Sequence, residues 1–211
     1  LFTIEDTGNN NPTILMSRDG RESGPIILRV IAKELLSLGV NVVDADVIPT
    51  PTTLFSVRNH KYDGAIIVTA SHNPIEYNGL KFVGKNALFS SDAEIERINK
   101  YFNEKATLEK PEIPGKLEKN TNLPKEHVDH ILKFINVEAI RNKKFKVVSD
   151  MINASSSVVD PYLFEKLGVE MIPLNGTPNG QFAHKPEPTQ ANLVEIGEVV
   201  QSSGADLGFA H

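Results

Sequence analysis

The sequence predicts an α/β protein in which mixed, largely parallel sheets are flanked by helices, and three observations support this fold class. Short apolar segments alternate with segments of helical periodicity, which is the pattern of strand–helix–strand units. Hydrophobic residues make up 40% and charged residues 23% of the 211 residues, so the chain can bury a sizeable core. The length fits one large domain or two ordinary ones, and a polar stretch near the middle favours two.

The first half of the chain begins with a predicted strand at Thr13–Met16. A helix follows, because apolar residues recur on one face, with Ser23 suited to its first turn and Gly39 to its C-terminal end. Two further apolar segments, Val40–Val47 and Ala65–Thr69, are expected strands. Strands joined in this order indicate a parallel sheet with right-handed crossovers.

A capping box and then a change of composition mark the middle of the chain. Ser91 and Glu94 have the spacing of a capping box, which predicts the start of another helix. Residues 105–124 are polar, contain three prolines and have no apolar period, so we interpret them as a linker or surface excursion. We therefore predict two domains, 1–124 and 125–211.

The second half repeats the alternation of helices and strands. A helical period returns from Val128 to Ile135, and a short helix capped by Asp160 is expected to end at Gly168. The other expected elements are strands at Phe145–Ser149, Val169–Leu174 and Ala205–Ala210 and a helix at Ala191–Ser203.

Composition excludes several classes of protein. The formal net charge is -5, which argues against a nucleic-acid-binding protein, although a few local cations can still bind an anionic substrate. The absence of cysteine excludes disulfides and thiolate metal sites. No apolar run approaches the roughly 20 residues that span a bilayer, and the N-terminal residues lack a secretory signal pattern. We expect a cytoplasmic protein with no membrane association.

The most informative segment follows the strand at Ala65–Thr69. This strand ends in a polar loop that contains Ser71, His72 and Asn73, with Lys81 ten residues after the serine. Ligands of open α/β sheets bind beyond the carboxyl ends of the strands, so the loop is a candidate site. Serine, histidine and asparagine are also ordinary turn residues, which leaves a purely structural role open. A serine hydrolase is disfavoured because neither a G-x-S-x-G elbow nor an acid partner lies near Ser71.

Several motifs together resemble those of the α-D-phosphohexomutases, the superfamily of phosphoglucomutase, phosphomannomutase and phosphoglucosamine mutase. The strings TASHNP (69–74) and YNGLK (77–81) are similar to the phosphoserine loop of that family. Further similar segments lie at Ser17–Gly24, Pro49–Thr52, Lys185–Pro188 and Gly204–His211. The resemblance implies a phosphohexomutase-like α/β fold, with this chain supplying domain I and part of domain II of a four-domain enzyme.

The resemblance also implies residue roles. Ser71 would carry the phosphoryl group and exchange it with hexose phosphates through a bisphosphorylated sugar. Lys81 would assist proton transfer or stabilise charge. His72, counted with Ser71 and Lys81 as catalytic, and the phosphate-binding Asn73 would shape the loop and hydrogen-bond the phosphate or its neighbours. Mg²⁺ would bind next to the phosphate on Ser71 and neutralise charge during transfer. The implied partners are a hexose phosphate and a hexose bisphosphate, and a homodimer is allowed.

The sequence departs from the family in ways that limit this interpretation. The family's carboxylate-rich metal loop is expected directly after His211, and domains III and IV and the N-terminal family motif are also missing. The segment Asn153–Ser157 replaces a glycine-bearing run. We therefore expect an inactive fragment of a phosphomannomutase/phosphoglucomutase. The alternatives are a phosphoglucosamine mutase and a non-catalytic phosphosugar-binding module. Arg18 and Arg21 are expected to form local ion pairs rather than to bind substrate.

Overall fold

The computed structural model describes residues 11–104 and 110–211 and contains two sheets. The strands of the five-stranded sheet are β1 (Thr13–Arg18), β2 (Asn41–Val47), β3 (Gly64–Val68), β4 (Leu80–Gly84) and β5 (Leu117–Lys119). The strands of the three-stranded sheet are β6 (Lys146–Asp150), β7 (Glu170–Leu174) and β8 (Leu207–Ala210). We call the five-stranded sheet with its helices the first unit, and the three-stranded sheet with its helices the second unit.

Seven α-helices accompany these strands in the described part of the chain. They are α1 (Gly24–Ser37), α2 (Thr50–His60), α3 (Asp92–Asn103), α4 (Leu123–Ile131), α5 (Val137–Lys143), α6 (Asp160–Leu167) and α7 (Val194–Ser203). Two 3₁₀ turns lie at Leu132–Phe134 and Ser155–Val158. Within residues 11–104 and 110–211, no helix combines the length and the apolar content needed to cross a bilayer.

The first sheet has the strand order β4-β3-β1-β2-β5. All neighbours are parallel except β3 and β4, which pair antiparallel with Val68 opposite Leu80 and Ile67 opposite Lys81. The connection between β3 and β4 is therefore the loop of a hairpin, and the Thr69 amide donates to the Gly79 carbonyl to close its base. The predicted mixed, largely parallel α/β fold is confirmed.

The side chains of the central strand β1 alternate between two buried faces, as those of a parallel sheet covered by helices do. Leu15 packs in the same cluster as Val57 of α2. Ile14 and Met16 project to the opposite face and pack with Leu28 of α1. The second sheet, with the parallel order β7-β6-β8, is covered by α6.

Several sequence-based predictions were incomplete or wrong. The helices α2 and α5 and the strand β4 were not predicted. The periodic segment from Val128 to Ile135 is not one helix, because α4 ends at Ile131 and Ile135 has extended dihedral angles of φ -120° and ψ 152°. The described part of the predicted linker contains β5 and the start of α4, while residues 105–109 lie outside the described residues.

The predicted helix caps have mixed outcomes. The box at Ser91 and Glu94 is confirmed, since both reciprocal hydrogen bonds form. Ser23 makes no capping bond, and its hydroxyl instead accepts a hydrogen bond from Asn78 Nδ2 at 2.9 Å. Asp160 does not cap either, because its buried carboxylate accepts a hydrogen bond from the Ser149 hydroxyl. Residues 1–10, where the sequence lacks the N-terminal family motif, lie outside the described residues. The domain boundary at residue 124 stays a prediction.

Candidate active site

The loop between β3 and β4 holds Ser71 in an unusual backbone conformation. Ser71 has a φ of 57°, in the left-handed region that L residues adopt at a cost. Its amide donates to the Thr69 hydroxyl at 3.0 Å, and the Thr69 hydroxyl donates to Asp19 Oδ2 at 2.7 Å. Because Asp19 follows β1, the central strand of the sheet fixes the backbone on the N-terminal side of Ser71.

The buried side chain of Arg21 binds the main chain of the loop between residues 71 and 77. Its side chain is fully buried, and Nη2 donates to the carbonyls of Ser71 at 2.9 Å and Asn73 at 2.7 Å. Nη1 donates to the carbonyls of Pro74 at 2.6 Å and Tyr77 at 2.8 Å. Nε donates to the carboxylate that also anchors Thr69, at 3.0 Å. All five guanidinium donors are therefore used, four of them on loop carbonyls.

The expectation of local ion pairs is confirmed for Arg21 but not for Arg18, whose partner lies on β2, 28 residues away. Arg18 pairs with Asp46, with Nη2 2.8 Å from Oδ1, and Arg21 pairs with Asp19. The role of Arg21 is larger than the sequence indicated, since the ion pair is one of five contacts. Its planar set of donors holds four carbonyls of one loop, and the compact ammonium of a lysine has too few donors for that.

A cavity of about 520 Å³ opens beside Ser71, between the two units. Its volume is in the range of small-molecule sites. Lining residues of the first unit include Asp19, Thr69, Ser71 and His72, and those of the second unit include Asp160, Phe182 and His211. Ser71 is exposed, so it lies in this cavity with both of its main-chain polar groups already bound.

Buried carboxylates fix the wall formed by the second unit. Asp160 is 4% exposed, and its Oδ2 lies 2.7 Å from His211 Nε2. Asp150, at the end of β6, is 1% exposed and lies 2.9 Å from His184 Nε2. Asp150 also accepts a hydrogen bond from the amide of Ile152, a cavity-lining residue, at 3.1 Å. The wall is therefore set by hydrogen bonds to two buried carboxylates, one at the end of β6 and one at the start of α6.

The electrostatics of the cavity depend on a helix end and on neutral side chains. No lysine or arginine is among its lining residues in the described part of the chain. Thr50 and Thr52 of the first turn of α2 line it, so the positive end of a helix dipole faces the cavity. His127, whose Nδ1 lies 3.0 Å from the Thr52 hydroxyl, also lines it. Burial lowers the pKa of His127 below its ordinary value, and the nearby His130 lowers it further.

The predicted site residues are only partly brought together. Ser71 and His72 both line the cavity. Lys81 is not a lining residue, but it pairs with the lining residue Ile67, and paired residues of antiparallel strands project from the same face of the sheet. The Lys81 ammonium lies 5.4 Å from the centroid of the ring of Phe89. Lys81 therefore shares a face of the sheet with a cavity-lining residue, while its ammonium lies against a ring outside the cavity lining.

Asn73 has a structural contact in the loop. Its side-chain amide donates to the Ala70 carbonyl at 2.8 Å, and its own carbonyl accepts from Arg21. It does not line the cavity. A phosphate-binding role for Asn73 stays a prediction.

The described residues do not form a magnesium site by themselves. Among residues 11–104 and 110–211, no group of three or more histidine, aspartate or glutamate side chains is placed to hold a metal ion. The Asp19 carboxylate, which contacts the loop, is engaged otherwise, since it binds Arg21 and Thr69. Ser71 as a metal ligand through a phosphate stays a prediction.

Comparison with protein families identifies the chain. A family model described as phosphoglucomutase/phosphomannomutase, alpha/beta/alpha domain I, matches residues 2–109, and the corresponding domain II model matches residues 125–211. The chain belongs to the phosphoglucomutase/phosphomannomutase family. The resemblance inferred from the sequence motifs is thereby confirmed.

Curated relatives of this family carry more than one substrate name. A phosphoglucosamine/phosphogalactosamine mutase of Sulfurisphaera tokodaii is 34% identical over 204 residues, which are 95% of this chain and 45% of the relative. A phosphoglucomutase/phosphomannomutase of Thermococcus kodakarensis is 34% identical over 211 residues, 98% of this chain and 46% of the relative. The chain thus spans less than half the length of these relatives.

Solved structures of the family agree with the fold. A phosphoglucomutase/phosphomannomutase family protein from Burkholderia thailandensis aligns with a TM-score of 0.78 at 28% identity, over 98% of this chain and 45% of its own. A second structure, from Thermus thermophilus, aligns with a TM-score of 0.82 at 21% identity, over 99% of this chain and 47% of its own. The second likeness concerns the fold alone.

Sequence reasoning missed the residues that support the Ser71 loop. Thr69 was treated as the end of a strand, although its hydroxyl links Ser71 to Asp19. Its position two residues before the serine, inside the TASHNP string, was an available signal. Nothing in the sequence indicated that Phe182 and Asp160 line the same cavity, because they are far from the loop in sequence.

Proposed function

We propose that this chain carries the phosphoserine of a phosphohexomutase and that Ser71 accepts and returns the phosphoryl group. One observation supports this above the others. Ser71 is exposed in a ligand-sized cavity while its amide and its carbonyl are both held by the first unit. A nucleophile fixed in this way loses little conformational freedom when the reacting atoms align.

The transfer itself asks mainly for alignment and charge stabilisation. In the loading direction the Ser71 Oγ–P bond forms and a sugar O–P bond of a hexose 1,6-bisphosphate breaks. The proton of the serine hydroxyl ends on the sugar oxygen that leaves. In the other half of the cycle the phosphorylated Ser71 gives its phosphoryl group to the free hydroxyl of a hexose 1- or 6-phosphate, and the proton of that hydroxyl passes to the serine oxygen. The bisphosphate then turns over and reloads Ser71 from its other phosphate, so phosphate moves between positions 1 and 6 of the hexose.

Groups around the loop have distinct roles in this proposal. Lys81, which pairs with the cavity-lining residue Ile67, would stabilise charge near the reacting hydroxyl or relay its proton, and His72 would contact the phosphoryl group or shape the loop. The first turn of α2 would favour the dianionic phosphate, because the positive end of the helix dipole faces it. The family resemblance implies Mg²⁺, which would bind next to the phosphate on Ser71 and neutralise charge.

The proposed substrate class is a hexose 1- or 6-phosphate. The names of the relatives include both neutral and amino sugars, so a glucose or mannose phosphate and a glucosamine phosphate are both candidates. The motifs of the Ser71 loop favoured the phosphomannomutase/phosphoglucomutase type. Direct comparison of two donors, glucose 1,6-bisphosphate and glucosamine 1,6-bisphosphate, would decide between them.

Peptide mass spectrometry after incubation with each donor and Mg²⁺ tests this function. We expect one phosphate on the peptide that contains Ser71, none in Ser71→Ala, and unchanged labelling in Ser90→Ala. The assay should be run on the chain and on a chimera in which the remaining domains of the Thermococcus kodakarensis relative follow His211. An unmodified Ser71 in both proteins would overturn the proposal. Donor binding without labelling would instead support the phosphosugar-binding module.

A further inference from the structure

Arg21 contacts the second unit as well as the Ser71 loop. Its guanidinium carbon lies 5.2 Å from the centroid of the Phe182 ring. Phe182 belongs to the connection between β7 and α7, and it also lines the cavity. A cation over an aromatic face is attracted by the ring quadrupole, more strongly where water is excluded. Because Arg21 is fully buried, this contact is of the stronger kind.

The backbones of the two units meet beside this contact at Gly20 and Gly180. A Cβ on Gly180 would lie 2.1 Å from the Gly20 carbonyl oxygen, and Gly180 has a φ of 79°. A Cβ on Gly20 would lie 3.0 Å from the carbonyl oxygen of Asn153. Glycine is therefore required at Gly180 both for the close approach and for the backbone angle. The segment that carries Phe182 is packed directly on the turn that carries Arg21.

This segment of the second unit is itself held in place. Asn153 Nδ2 donates to the Gln181 carbonyl at 2.9 Å, and Asn153 Oδ1 accepts from the Thr177 amide at 3.1 Å. One side chain thus ties down the segment on either side of Gly180. The position of the Phe182 ring consequently follows from the fold of the second unit.

We infer that Gly180 and Phe182 are positioning residues for Ser71 and that they act through Arg21. Seating of this segment on the Gly20–Arg21 turn fixes the guanidinium, and the guanidinium fixes four carbonyls of the loop. The inference rests on the proposed function for its catalytic consequence. Its structural part, the dependence of the loop on a residue of the second unit, is independent of any reaction.

The variant Phe182→Leu tests the effect of the aromatic face separately from the effect of the apolar volume. Leucine keeps an apolar side chain next to Arg21 but removes the ring quadrupole. In the chimera we expect the maximal rate of Ser71 phosphorylation by glucose 1,6-bisphosphate to fall by about 3- to 10-fold, with an unchanged donor concentration at half-maximal rate. Phe182→Tyr keeps the ring face and should restore the rate. Phe209→Leu, a matched change on β8, should have no effect.

A second pair of variants tests the backbone contact. Gly180→Ala places a methyl group against the Gly20 carbonyl and should displace the segment. Gly197→Ala is the matched control, because a Cβ there meets nothing within 4 Å. Thermal unfolding of both variants identifies any global loss of structure. We expect Gly180→Ala to lower the transfer rate by at least as much as Phe182→Leu, and Gly197→Ala to leave it unchanged.

Nuclear magnetic resonance of the chain alone provides a measurement that needs no reaction. We expect Phe182→Leu to shift the Arg21 Nε–Hε signal and the backbone amide signals of residues 71–73 and 75–77, and Phe209→Leu to leave them in place. Unchanged signals in Phe182→Leu would overturn the positioning role of Phe182. A changed donor concentration at half-maximal rate with a constant maximal rate would also overturn it, because that result would indicate direct contact between Phe182 and the donor. If Ser71 is never labelled but these signals shift, the proposed function fails and the positioning inference stands.

Discussion

The amide of Ser71 donates a hydrogen bond to the hydroxyl of Thr69, 3.0 Å away and two residues earlier in the chain. The same hydroxyl donates to Asp19 at 2.7 Å, so it is both acceptor and donor. The hydroxyl of Thr69 performs both functions, whereas a methyl group in its place could do neither. The left-handed backbone of Ser71 is thus tied to a carboxylate on the strand-to-helix turn after β1.

Thr69→Val keeps the shape of this side chain and removes its hydroxyl. We expect the free energy of unfolding to fall by about 1–3 kcal/mol, because the Ser71 amide and Asp19 each lose a partner. Thr69→Ser restores the hydroxyl and should recover most of the loss. Urea unfolding measures both variants, and equal stability of the valine and serine variants would contradict this linkage.

Arg21→Met should be among the most destabilising single substitutions in the first unit. It removes the guanidinium partner of Asp19 and four hydrogen bonds to loop carbonyls, and loss of one partner of a buried ion pair costs about 3–5 kcal/mol. Arg18→Met is the control, because its partner Asp46 has a side chain that is 42% exposed. We expect about 1 kcal/mol for Arg18→Met by chemical unfolding. Similar losses for the two variants would exclude a special role for Arg21.

Ser71→Gly and Ser71→Ala should both abolish labelling but differ in stability. Alanine retains a Cβ at a φ of 57°, whereas glycine adopts this conformation without steric cost. We expect the glycine variant to be more stable than the alanine variant by about 1 kcal/mol, measured as a difference in thermal or urea unfolding. A more stable alanine variant would indicate that the loop relaxes to a different backbone conformation.

The stability of the protein should fall in mild acid through His127. Burial lowers the pKa of His127 in the folded protein below the ordinary value of 6.5. The unfolded chain therefore takes up a proton at a higher pH than the folded chain does. This histidine contributes stability that is fully present above pH 6.5 and is lost as the pH falls through the folded-state pKa.

Urea unfolding between about pH 8 and about pH 5 checks this dependence. His127→Phe keeps a ring beside Phe55, on which His127 is stacked at 4.8 Å, and removes the titrating group. The stability of this variant should fall less steeply over the same range. Titration of the His127 ring signals by nuclear magnetic resonance gives the folded-state pKa directly, and a value above 6.5 would refute the direction.

The sequence predicted those elements whose buried faces are apolar. The strand β1 and the helix α1 were found because their aliphatic residues recur with the period of the element. The helix α2 was missed because its buried face consists largely of hydroxyl side chains, Thr52, Thr53 and Ser56. Hydrogen bonds satisfy these groups, such as that between Ser17 and Thr53 at 2.8 Å, so the face carries no apolar period.

The residues of the candidate site that are contiguous in sequence could be predicted, and those that are distant in sequence could not. Ser71 and His72 were identifiable because they are contiguous and follow a strand. The wall opposite them comes from Asp160, Phe182 and His211, which reach the cavity only after both sheets have formed. A single sequence carries no signal for such pairings, and the cation–π contact of Arg21 could not have been inferred from residue spacing.

The hairpin of β3 and β4 has a consequence for the order in which the molecule is made. Every group that holds Ser71 within the first unit, from Asp19 to Tyr77, lies before the end of β4 at Gly84. Domains generally fold as they leave the ribosome, N-terminal first. During synthesis the Ser71 loop can thus take its shape while its side of the cavity still faces open water. The opposite wall of the cavity, which includes Phe182 and His211, can form only after the chain has been made up to residue 211.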